Sequence, residues 1–103
     1  MYLPKIYEKF STRFPEVFKD FQQLGKSCRD SGPLGKKYQD LANLGIAIGA
    51  NSRGAVMSQT RKALESGASK EEVAQVVLLS LTTIGFPKMI AAMSWVDEVL
   101  EGA

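Results

Sequence analysis

Cys28 is the only thiol in a chain of 103 residues that contains no histidine. Without histidine the chain lacks the side chain that ordinarily titrates near neutral pH, and with it the Ser-His-Asp and Cys-His arrangements and most zinc sites. One cysteine can form neither an internal disulfide nor a redox dithiol. A single thiol fits a reducing compartment, so a cytoplasmic protein is expected. Cys28 stands between Lys26 and Arg29, whose charges favour a thiolate, near the expected C-terminal end of a helix, whose dipole opposes one. A plain, non-catalytic cysteine is the expectation; a one-cysteine antioxidant is the alternative. Any other catalysis must rest on carboxylates, lysines or a borrowed cofactor, and no particular cofactor or metal is indicated.

Charge and hydropathy remove further classes. The net charge is +2, and the basic residues are interleaved with acids, reaching only pairs such as Lys36-Lys37 and Arg61-Lys62. That pattern describes a solvated surface, and no nucleic-acid partner is expected. The longest uncharged stretch, Val73 to Pro87, contains Gln75, Ser80, Thr82, Thr83, Gly85 and Pro87. It falls short of the ~20 apolar residues of a membrane helix. The opening MYLPKIYEKF lacks the apolar run of a signal peptide. With 45% apolar and 23% charged residues, one compact domain over residues 1–103 is expected.

The elements that must position any site are helical. Apolar residues recur at three- and four-residue spacing, with Gly and Pro between segments, which predicts an all-α fold of about six helices. The first runs near Pro4 to Thr12, with Ile6, Tyr7 and Phe10 on one face. The second runs from Pro15 to about Cys28, with Phe18, Phe21 and Leu24 inward. After the break at residues 31–35, a third spans Lys36 to about Gly49. Asn51-Ser52 offers an N-cap for a fourth that ends at Ser66-Gly67, where Gly supplies the left-handed position. Ser69-Lys70-Glu71-Glu72 is a capping box opening a fifth that stops at Gly85. Pro87 starts a sixth running to about Glu101. Met57, Met89 and Met93 are expected as adaptable core filler, and Trp95 as an anchor of core or interface.

From Val73 to Ile84 the fifth helix reads V-A-Q-V-V-L-L-S-L-T-T-I, apolar nearly all round. Such a helix must be covered on most sides, which a chain of this length does not easily do alone. A homo-oligomer is expected.

Two stretches carry a family resemblance. D-L-A-N-L-G-I-A-I-G-A-N-S-R-G-A-V-M-S-Q-T-R-K-A-L-E-S-G, residues 40–67, runs into A-S-K-E-E-V, and I-G-F-P-K-M-I-A-A follows later. Together they resemble the carboxymuconolactone decarboxylase and alkylhydroperoxidase D-like family over roughly residues 34 to 100. The resemblance implies a small helical fold, assembly as a trimer or hexamer, and decarboxylase or peroxidase (peroxiredoxin-type) activity.

Redox members of that family carry Cys-x-x-Cys-x-x-x-His on the fourth helix and a Glu at the head of the third. Offsets of three and seven return to one helix face, and a thiolate near a helix N-terminus is stabilised by its free N–H groups. Carried onto this chain, the cysteines fall on Ser52 and Ala55, the histidine on Gln59, and the Glu on Asp40; Gly54 precedes the second cysteine position. Only the acid survives in kind. Ser52 cannot form a disulfide and Gln59 cannot titrate, so the thiol chemistry is expected to be absent, and the decarboxylase branch's histidine is missing too. Asp40, Ser52, Arg53 and Gln59 remain as candidate pocket residues for a small organic acid. Each has a plainer role: Ser52 as an N-cap, Asp40 as a first-turn acid, Arg53 and Gln59 as solvated residues.

Overall fold

A computed structural model describes residues 4–102. Seven helices follow in order: α1 (Lys5–Arg13), α2 (Pro15–Arg29), α3 (Lys36–Gly49), α4 (Arg53–Glu65), α5 (Lys70–Leu79), α6 (Leu81–Ile84) and α7 (Phe86–Gly102). No strand occurs among the described residues. The fold is all-α, as the periodicity predicts. The chain divides into two compact units, one carrying α1 and α2 and the other α3 to α7.

In the first unit α1 and α2 pair as a hairpin whose bend is Phe14, with Pro15 in the first turn of α2. Pro15 suits that place because its missing N–H is one that the helix could not use. Neither helix contains a buried residue. The inward placement expected for Phe18, Phe21 and Leu24 therefore fails for two of them: Phe18 is half-buried, while Phe21 and Leu24 are exposed. An amphipathic pattern specifies which face is apolar. It does not say what covers that face.

In the second unit α4 packs on α3 and α7, and α5 packs on α7 and α3. The core joins Leu44 and Ile48 of α3, Val56 and Ala63 of α4, Val73 and Val77 of α5, and Met89, Ala92 and Val96 of α7. Met93 and Trp95 pack against it, whereas Met57 is half-buried. These helices are held in place by their ends. Gly67 (φ 100°) terminates α4 in the left-handed conformation. Its N–H donates to the Leu64 carbonyl, and the Ala68 N–H donates to the Ala63 carbonyl at 2.9 Å. That is the paired closure that satisfies the last carbonyls of a helix. Ser69 and Glu72 then form the expected capping box at the head of α5.

The fifth helix is shorter than its apolar run. The Ser80 hydroxyl donates to the Val77 carbonyl at 2.6 Å, and the chain re-forms as the short α6 before Gly85 (φ 89°) stops it. The Ser80 backbone N–H turns to the same Val77 carbonyl at 3.1 Å, the tighter three-residue closure that often ends an α-helix. α5 buries Val73 and Val77 but leaves Leu78 and Leu79 exposed, so its apolar girdle is covered on one side within the chain. α7 begins at Phe86, with Pro87 in its first turn. Among the described residues no helix is long and apolar enough to cross a membrane.

Candidate functional site

The junction of α3 and α4 is the part of the fold on which the candidate residues depend. Asn51 (φ 54°) takes the left-handed position that ends α3, its N–H donating to the Ile48 carbonyl at 2.9 Å. Asparagine tolerates that conformation better than most residues. Asn51 is thus the terminator of α3, and Ser52 alone is the N-cap of α4. Ser52 serves both helices: its backbone N–H donates to the Ala47 carbonyl of α3, and its Oγ accepts from the Ala55 N–H of α4 at 3.4 Å. Its hydroxyl is engaged in structure and exposed. The plainer reading of Ser52 is what the geometry shows.

Gln59 lies two turns along α4 and is half-buried. Its Oε1 is sealed from solvent and accepts no hydrogen bond. The side chain is thus partly exposed, with its carbonyl oxygen turned away from solvent. Leaving a buried acceptor unmet costs about 1–3 kcal/mol, so such an atom has to be explained. Beside it Thr60 is fully buried but satisfied, donating to the Val56 carbonyl at 2.7 Å.

Asp40 is fully buried on α3. It is not a first-turn acid: α3 begins at Lys36, and its first turn holds no acidic residue. The helix dipole is felt mostly in the first turn, so it does not account for Asp40. Arg53 is exposed and pairs with Glu98 of α7 at 2.8 Å. This pair ties the start of α4 to α7, a contact that no local sequence signal announces. The four candidates therefore differ in depth. Ser52 and Arg53 lie at the surface, the Gln59 oxygen is sealed, and Asp40 is wholly inside.

Cys28 is exposed in the last turn of α2, as its helical position predicts. Two surface concavities lie on α1 and α2. One is lined by Lys5, Glu8, Lys9, Thr12 and Arg13; the other is an apolar groove of about 360 Å³. None of the four candidate pocket residues lines either. Among the described residues no group of three or more His, Cys, Asp or Glu could hold a metal ion.

The Carboxymuconolactone decarboxylase family matches the chain over residues 15–98. The match reaches further toward the N-terminus than the resemblance over residues 34–100, taking in α2. An uncharacterized protein of Methanocaldococcus jannaschii is 31% identical over 85 residues, covering 82% of this chain and 79% of the relative. With α3, α4 and the capped α5 in the order the resemblance implies, this chain belongs to the carboxymuconolactone decarboxylase family.

Proposed function

We propose that the protein is a redox-inactive, oligomeric member of its family that binds a small organic acid along α4 instead of reducing peroxide. The observation that carries this reading is the state of the α4 face. Ser52 is spent on capping, Ala55 offers no functional group, and Gln59 holds a sealed oxygen where a proton relay would stand. A peroxidase cycle needs a thiolate to attack the O–O bond and a second thiol to resolve the product. The α4 face supplies neither, and the chain's one thiol, Cys28, lies on α2. The buried Gln59 oxygen is a polar group on α4 with no donor in the chain, and a ligand hydroxyl that reached it on a local opening of the face would supply one. Arg53 sits at the start of the same helix and could turn from Glu98 to a carboxylate, since exposed pairs are held weakly.

Oligomerisation is part of the proposal. Ile46, Leu78, Leu79, Phe86 and Ile90 are each exposed on the second unit. The gain from covering them in a subunit contact is what supports this part of the proposal. A cytoplasmic location suits the unpaired thiol of Cys28.

A decarboxylase-like enzyme is the second reading, and the placement of the Asp40 carboxyl inside the second unit, at the position of the acid that the family pattern keeps, favours it. Peroxide consumption with a dithiol reductant separates these readings from a one-cysteine antioxidant. The purified protein should consume peroxide no faster than buffer, and Cys28→Ser should change nothing. Catalytic turnover that disappears in Cys28→Ser would overturn the proposal.

A further inference from the structure

We draw no further inference here: the strongest candidate, the sealed oxygen of Gln59 on α4, belongs to the site already described and lines neither of the two surface concavities.

Discussion

Lys37, in the first turn of α3, and Glu72, in the first turn of α5, meet at 3.0 Å, although 35 residues separate them. Glu72 has two tasks there. Its Oε1 accepts from the Ser69 backbone N–H at 2.9 Å, completing the capping box, and its carboxylate faces the Lys37 ammonium. The backbone bond from Ser69 and then the bond from Lys37 hold the Glu72 carboxyl below its ordinary value of 4.5. The bond to Glu72 raises the Lys37 ammonium above its ordinary 10.5.

The sign of the pH dependence follows. A carboxyl depressed in the folded state stabilises fully above its unfolded value, and that contribution fades as pH falls from about 4.5 through the lowered value. The raised lysine contributes below 10.5 and loses its contribution as pH rises through the folded value. Glu72→Gln keeps a capping acceptor and removes the charge. Urea midpoints measured across the acid range should fall less steeply for Glu72→Gln than for the parent, and ~1 M salt should narrow the difference, because both side chains reach solvent. Parallel acid limbs would show that the pair adds nothing.

The two serine caps should differ in what they contribute. Ser69 Oγ accepts from the Glu72 N–H at 3.0 Å within a reciprocal box, whereas Ser52 Oγ accepts from Ala55 at a long 3.4 Å. Ser69→Ala should cost about 1 kcal/mol in chemical denaturation and Ser52→Ala distinctly less, near the low end of about 0.5–2 kcal/mol.

Those caps also mark how far the sequence could be read. Ser52, Ser69 and Gly67 act over three or four residues, so their roles follow from local spacing. The starts of α4 and α5 and the end of α4 were legible for that reason. The break at Ser80 was not, because a serine inside an apolar run carries no stop signal: Ser94 makes the same hydroxyl bond within the unbroken α7. Nor was the depth of Asp40 or the sealed oxygen of Gln59, since burial is set by which helices meet. The Arg53–Glu98 pair spans 45 residues and leaves no local signature.

Gln59→Leu tests whether the sealed oxygen is a functional cost. Where a buried acceptor has no donor, an apolar side chain of similar size removes a penalty of about 1–3 kcal/mol. The variant should therefore melt higher, by roughly 4–8 °C for each kcal/mol gained in a domain of this size. It should also lose whatever small acid the parent binds. A lower melting temperature would mean that the amide is held by contacts worth more than the unmet oxygen costs.

The last prediction returns the lost chemistry to the frame. Ser52 caps α4 and Ala55 lies one turn in, with the Ser52 Oγ already 3.4 Å from the Ala55 N–H, so side chains at 52 and 55 start on the same side of the helix. Gln59 follows one turn further along that face. Replacing Ser52 and Ala55 with Cys and Gln59 with His places a thiol pair at a helix N-terminus, where free N–H groups stabilise a thiolate. The junction should survive, because the Ser52 N–H bond to Ala47 and the left-handed Asn51 are backbone features. In mild oxidant the triple variant should close an internal disulfide that the parent cannot form. Given a dithiol reductant, it should also reduce hydroperoxide to alcohol and water, the protein dithiol becoming the disulfide that the reductant restores. Closure is the sharper readout, since activity also asks the wholly buried Asp40 to serve as the acid. Mass spectrometry after oxidation decides it: two unlinked cysteines would show that positions 52 and 55 do not share the geometry that the family's dithiol requires.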